Sequence, residues 1–211
     1  MQLVLASNNA KKLAELRGFL GDLGVAVQSQ GDLGIAEAAE PHHTFIENAL
    51  LKARHAAAAA SGAAMADDSG LCVDALAGAP GVVSAHFARV AAAELQRLGR
   101  EAQRAVQDAA NNALLLQQLR EVADRSARFV CTLVAVRHAA DPEPLVAVGR
   151  WPGQILPAPR GAHGFGYDPL MFIPELDCTV AEMDSALKNA HSHRARAMAQ
   201  MRALMREAWS L

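Results

Sequence analysis

A basic excess is missing from this chain: 20 lysines and arginines stand against 22 aspartates and glutamates, for a formal net charge of −2. A broad non-specific nucleic-acid surface needs such an excess, so no nucleic-acid partner is expected, whereas one small polyanion held in a cleft needs no such excess. Cysteine is sparse as well. Cys72, Cys131 and Cys178 are widely spaced, form no CxxC metal pattern, and are odd in number, which does not suggest a disulfide framework. A reducing cytosol fits that usage, and the expected location is cytoplasmic. Long hydrophobic runs are lacking too. Ala56–Ala60, bracketed by His55 and Ser61, is too short and too weakly apolar for a bilayer. The chain opens on Gln2–Ala6 without a basic segment ahead of an apolar run, so neither a signal peptide nor a membrane partner is expected.

What is present is a globular composition, 52% apolar and 20% charged over 211 residues. That suffices for one α/β domain, or two small lobes sharing a core. Leu3–Ala6 reads as a buried strand ended by Ser7-Asn8-Asn9. From Lys11 onward Leu13, Leu16, Phe19 and Leu20 recur at spacings of three and four, predicting a helix closed at Gly21 or Gly24. Val25–Gln28 predicts a second strand. Thr44, with Glu47 three residues later, predicts a capping box on a long alanine-rich helix whose apolar positions include Phe45, Ala49 and Ala53. Ala64–Ala66 reads as a strand running out into a polar turn at Asp67-Asp68-Ser69-Gly70.

Glu94–Arg120 reads as helical, with an exposed polar stretch near Arg97–Gln107. Phe129–Val136 is rich in β-branched residues and predicts a central strand, with Leu145–Gly149 as its partner. A Gly- and Pro-rich loop is expected from Trp151 to Pro169. A last helix, His193–Trp209, carries Ala197, Met201, Leu204 and Met205 on one face. No repeat and no long linker divides residues 1–211, so a single α/β domain is expected.

Four polar segments carry candidate chemistry. Ser7-Asn8-Asn9-Ala10-Lys11-Lys12 follows a strand and starts a helix, where free N–H groups and the helix dipole suit phosphate. It lacks the glycines of a Walker loop, and an ordinary polar turn is the competing reading. Asp67-Asp68 offers adjacent carboxylates for Mg²⁺ and a water, or merely a capped turn. Neighbours on a strand point to opposite faces, so one of the two would face a given site. Gly164-Phe165-Gly166-Tyr167-Asp168 presents two aromatics that would either stack on a nucleobase or plug the core. Lys188-Asn189-Ala190-His191-Ser192-His193-Arg194 gathers donors ahead of a helix. No HExxH or second cysteine/histidine pair supports reading His191 and His193 as zinc ligands. Glu40 is a plain surface acid unless the fold brings it to Asp68, and Thr44–Ala49 is locally only a helix cap.

In order, these segments resemble the inosine triphosphate pyrophosphatase family, also called the dITP/XTP pyrophosphatases. The matching text is ASNNAKKLAEL at Ala6–Leu16, TFIENALLKARHAA at Thr44–Ala57 and ADDSGLCVDALAGAPGVVSAHFA at Ala66–Ala88. GFGYDPLMFIPE at Gly164–Glu175 and KNAHSHRARA at Lys188–Ala197 complete it. The resemblance implies a long twisted mixed sheet flanked by helices in two lobes, with the nucleotide in the cleft between them, and a homodimer. It implies that Ser7, Asn8, Asn9, Ala10, Lys11 and Lys12 wrap the triphosphate, and that Asp68 is the general base and a magnesium ligand with Glu40. Ser69 becomes a substrate contact. Phe165, Gly166, Tyr167 and Asp168 hold base and sugar, Lys188 the phosphate side, and His193 with Arg194 the purine. Ala10-Lys11, Val83 and Ala195 depart from common family residues, but none of these changes removes a charged catalytic group.

The implied reaction is hydrolysis of ITP, dITP or XTP to the monophosphate and pyrophosphate, which clears damaged purines from the nucleotide pool. A nucleotide sensor on the same fold, and a pyrophosphatase for modified pyrimidine or methylated nucleotides, are the competing readings. Asp68, Lys12 and Arg194 argue against the first.

Overall fold

Alternate residues of the first strand face two different cores. In β1 (Gln2–Leu5), Leu3 and Leu5 join a cluster with Leu13, Leu16 and Leu20 of α1 (Ala10–Leu20). Val4 joins Ala49, Ala53, Ala56 and Ala57 of α2 (Phe45–Ala60) on the opposite face. Such period-two placement is what a strand buried on both sides requires. The structure is a computed structural model that describes residues 1–21 and 24–211, apart from the side chains of Ala10, Lys11, Glu94 and Leu95.

The remaining strands are β2 (Ala26–Ser29), β3 (Ala63–Val73), β4 (Ser126–Val136), β5 (Leu145–Ile155), β6 (Met171–Ile173) and β7 (Cys178–Thr179). They form one seven-stranded sheet in the order β2-β1-β3-β4-β5-β6-β7. β1 runs parallel to β2 and β3, whereas β6 is antiparallel to β5 and β7, so the sheet is mixed as expected. The other helices are α3 (Ala92–Leu95), α4 (Arg100–Gln118), α5 (Ser185–His191) and α6 (His193–Trp209).

The described chain divides into two compact units, and the division falls inside β3, β4 and β5. The first unit comprises residues 1–69, 130–150 and 191–211. Its sheet is covered on one face by α1 and α6, whose Ala197, Met198, Met201 and Met205 are buried, and on the other by α2. Thr44 caps α2 as expected, its hydroxyl accepting from the Glu47 N–H. Gly149 is required where α6 starts, because a Cβ there would overlap the His193 carbonyl oxygen. That close approach fixes the first turn of α6, which carries His193 and Arg194.

The second unit comprises residues 70–129 and 151–190. Leu71, Val73, Leu115, Leu119, Phe129, Trp151, Ile155 and Tyr167 form its core. Three expectations are corrected here and in β3. Asp67–Gly70 is not a turn but the middle of an 11-residue strand, which continues because Leu71 and Val73 are buried beyond it. Trp151–Ile155 is not loop, since burial of Trp151 and Ile155 extends β5 through it. Gln107 is not exposed: it is buried, with its amide donating to the Ala88 carbonyl and to Asn111.

Candidate active site

The parity of β3 decides what its two aspartates touch. Met65 packs on the α1 and α6 side, and Ala64 and Ala66 pack on the α2 side. Asp67 and Ser69 therefore follow Met65, and Asp68 follows Ala66. Lys12 of α1 reaches the Asp67 carboxylate at 2.8 Å, and the Ser69 hydroxyl donates to the same oxygen at 3.1 Å. Arg194 of α6 completes this group, 3.8 Å from Asp67 and 3.3 Å from the Ser69 hydroxyl, with Glu15 of α1 at 2.5 Å from its other amine. On the opposite face, Asn48 of α2 donates to Asp68 at 3.3 Å and Lys52 at 3.1 Å. The same Lys52 ammonium lies 3.1 Å from Glu40. Asn48 and Lys52 stand four residues apart, hence on one face of the helix.

The two carboxyls titrate in opposite directions. Burial opposes ionisation of Asp67, yet Lys12, Arg194 and Lys52 hold it well below the usual carboxylate range. Burial pushes Asp68 up to about 6, against Lys52 and with help from Glu40. Asp67 is thus a fixed anion that anchors cations, and Asp68 is poised to exchange a proton near neutrality. Burial works against the Lys52 charge, but Asp67, Asp68 and Glu40 outweigh it and keep the ammonium protonated.

Among the described residues no three His, Cys, Asp or Glu side chains form a metal cage. Glu40 and Asp68 instead converge on one cationic group, the Lys52 ammonium. A hard cation held by these two carboxylates would take its other oxygens from phosphate and water, the habit of Mg²⁺ and not of zinc.

The segment before α1 is built for its helix start. Asn9 caps α1, its side-chain oxygen accepting from Lys12 N–H at 3.4 Å, and the Ser7 hydroxyl accepts from Asn9 N–H at 3.2 Å. Asn8 points elsewhere, to Glu37 at 2.9 Å. No acid lies in the first turn of α1, so its positive end is uncompensated locally. The side chains of Ala10 and Lys11, expected at this turn, lie outside the described residues.

In the second unit, Gly164 adopts a φ of +79° and Gly166 one of +62°. A Cβ on Gly164 would overlap the Asp168 carboxylate, which accepts from Phe165 N–H at 2.9 Å. Lys188 of α5 binds that carboxylate at 2.8 Å, and its ammonium sits 4.6 Å from the centre of the Phe165 ring. Phe165 is half-buried. Tyr167 is in the core, with its hydroxyl donating to the Ser84 carbonyl at 2.9 Å.

Residues 3–204 match the Ham1 family. The chain belongs to the Ham1 family. It is 65% identical over 211 residues to a dITP/XTP pyrophosphatase of Leptothrix cholodnii, covering 100% of both chains. A dITP/XTP pyrophosphatase of Burkholderia pseudomallei is 59% identical, with 93% of this chain and 89% of the relative covered. Among solved structures, a HAM1 protein from Coxiella burnetii superimposes with a TM-score of 0.87 at 39% identity, covering 99% of this chain and 100% of that one. A nucleoside-triphosphatase / dITP/XTP pyrophosphatase from Mycobacterium abscessus gives a TM-score of 0.70 at 41% identity, with 95% and 98% covered.

Within this Ham1-family chain the first unit brings Lys12, Ser69 and Arg194 together around Asp67, and Asp68 and Glu40 together around Lys52 on the opposite face of β3. Glu40 thereby loses its reading as a plain surface acid. His193 is buried at the start of α6 beside Arg194. One expectation changes. Tyr167 offers no stacking face, because core packing and the Ser84 hydrogen bond occupy it. Lys188, expected on the phosphate side, lies within α5 ahead of α6 and contacts Asp168 and Phe165. Sequence reasoning missed Asn48, Lys52 and Glu15. The signal available was polar residues four apart, Asn48 and Lys52, on a helix otherwise buried through alanine.

Proposed function

We propose that the chain hydrolyses non-standard purine nucleoside triphosphates, ITP, dITP and XTP, to the monophosphate and pyrophosphate by magnesium-assisted water attack at the α-phosphorus. The observation that carries this reading is the opposed pair on β3: a fixed Asp67 anion anchoring Lys12 and Arg194, behind a proton-exchanging Asp68 that shares Lys52 with Glu40. The names of full-length relatives support the substrate class.

The α1 start and Lys12 bind the triphosphate through backbone N–H groups and charge. Asp68 and Glu40 would hold Mg²⁺, which supplies charge neutralisation of the triphosphate. Asp68 accepts a proton from the attacking water, whose oxygen bonds to the α-phosphorus. The bond from that phosphorus to the α,β-bridging oxygen breaks, and pyrophosphate leaves with its electron pair. Lys52 and Asn48 orient the Asp68 carboxylate throughout. No protein nucleophile is involved, so positioning and electrostatics supply the acceleration.

Arg194 reads the base. Hypoxanthine and xanthine present an acceptor oxygen at position 6, and adenine presents a donor that leaves a guanidinium unpaired. Hydrogen-bonding sites discriminate on such grounds by up to roughly 10⁴–10⁵. Glu15 and Ser69 hold the guanidinium in a fixed orientation for that task. Phe165 provides the stacking face, held by Lys188 and Asp168.

The active form is a cytoplasmic homodimer. Within Leu71–Phe87, a stretch rich in glycine, alanine and valine, Leu71 and Val73 are in the core, and Val83, 52% exposed, is a large apolar side chain left to bury between copies. No described helix is long and apolar enough to cross a membrane. Pyrophosphate release from a panel of ITP, XTP, ATP, GTP and modified pyrimidine triphosphates tests the function. Selective turnover of ITP and XTP supports it, and equal turnover of ATP refutes it.

A further inference from the structure

The helix α4 carries four polar residues that the reaction above does not use: Gln107, Asp108, Asn111 and Asn112. They form two rows at four-residue spacing, and each row holds a different piece of backbone. In the first row, Asn111 donates to the Ser84 and Ala85 carbonyls at 3.2 Å each and accepts from the Ala88 N–H at 2.8 Å. Ser84 in turn accepts the Tyr167 hydroxyl. In the second row, Asp108 accepts from the Gly166 N–H at 2.8 Å, and Asn112 donates to the Gly166 carbonyl at 3.0 Å. One peptide segment is therefore gripped at both its donor and its acceptor, and the next side chain is tethered through Ser84.

We propose that Asp108 and Asn112 are positioning residues for the nucleobase, acting through Gly166 to set the attitude of the Phe165 ring. The inference rests on the reading of Phe165 as the stacking face. Two observations favour positioning over simple packing. Gly166 has a φ of +62° and no atom within 4 Å of where a Cβ would lie, so side-chain contact does not define its place. Hydrogen bonds from α4 do. The Asn112 side-chain oxygen, moreover, is buried without a hydrogen-bond partner among the described residues. An apolar residue would avoid that cost if packing were the whole role. What the amide provides is its N–H group on Gly166. With the Phe165 N–H held by the Asp168 carboxylate and the following Gly166 clamped by Asp108 and Asn112, the Phe165 backbone is restrained on both sides of its side chain.

The experiment uses the full chain with Mg²⁺ and compares Asp108→Ala, Asn112→Leu, Asp108→Asn and Phe165→Leu. Steady-state hydrolysis of ITP gives KM and kcat, inorganic tripolyphosphate serves as an inhibitor without a base, and thermal melts report the folded fraction. Asp108→Ala and Asn112→Leu should raise KM for ITP about tenfold, as expected for losing a hydrogen bond that orients substrate. kcat should stay within about twofold and tripolyphosphate inhibition unchanged, because the chemistry and phosphate contacts are intact. Asp108→Asn should restore most of the KM, since its amide oxygen still accepts from the Gly166 N–H. Combining Asp108→Ala with Phe165→Leu should add little to Phe165→Leu alone. Asn112→Leu, which roughly keeps the volume, carries the test where Asp108→Ala does not fold. A raised KM in Phe165→Leu beside unchanged KM in both clamp variants overturns the proposal. Parallel weakening of ITP and tripolyphosphate overturns it too, as general distortion. An unchanged KM in Phe165→Leu removes the stacking reading, and this inference with it.

Discussion

Replacing Asp68 by asparagine keeps the shape of the side chain and its hydrogen bond from Asn48, but removes the charge that burial resists. Carrying the carboxyl from its ordinary 3.8 to about 6 corresponds to roughly 3 kcal/mol against the ionised form. The sign follows from linkage. A carboxyl whose folded value is raised stabilises the fold below the unfolded value, and that contribution is lost as pH rises through the folded value. In metal-free buffer, wild type should therefore lose stability relative to Asp68→Asn between about pH 4 and pH 8. The gap should widen by roughly 2–3 kcal/mol over that range. Urea unfolding of both proteins at several pH values, read by circular dichroism, measures it. The same variant should lose about 10²–10⁴ in kcat with Mg²⁺ present, the usual cost of a missing general base. A stability gap that does not change with pH would refute the electrostatic argument. A variant retaining more than about half of wild-type kcat would refute the general-base assignment.

Activity should vanish after EDTA treatment and return with Mg²⁺ better than with Zn²⁺, measured as pyrophosphate release; full turnover in chelated buffer contradicts the oxygen-ligand reading of Asp68 and Glu40. Arg194→Ala should lower kcat/KM for ITP by about 1.5–3 kcal/mol in transition-state terms and for ATP much less. Lys12→Ala should weaken both triphosphates together, and equal proportional losses for Arg194→Ala would assign that arginine to phosphate. Light scattering at micromolar concentration should report a dimer, and Val83→Asp should shift it toward monomer; a wild-type monomer sinks the proposed assembly.

Much of the framework was legible because local pattern and tertiary burial agree. The spacing of Leu13, Leu16 and Leu20 gave α1, the Thr44 cap gave the start of α2, and the His193–Trp209 helix was found at its observed ends. Where polar residues are buried, local pattern misled. Asp67-Asp68-Ser69-Gly70 has the composition of a turn, and it stays in a strand because cations from α1, α2 and α6 compensate its carboxylates. Those partners lie far away in sequence. Nothing local singles out Asn48 and Lys52 on an alanine-rich helix, and docking of α2 against β3 is what brings them to Asp68. The polar stretch expected near Arg97–Gln107 is exposed over most of its length, and only its end departs, where Gln107 is buried against the Ala88 carbonyl. Tyr167 and Phe165 are indistinguishable as neighbours in sequence, and only packing assigns one to the core and leaves the other half-buried.

Hydrolysis of ITP in ¹⁸O-labelled water, followed by mass spectrometry of the products, tests the central claim most directly. Water activated by Asp68 and attacking the α-phosphorus places one ¹⁸O in inosine monophosphate and leaves pyrophosphate unlabelled. Label in pyrophosphate, or release of inosine diphosphate with labelled phosphate, would mean attack at another phosphorus and contradict the account.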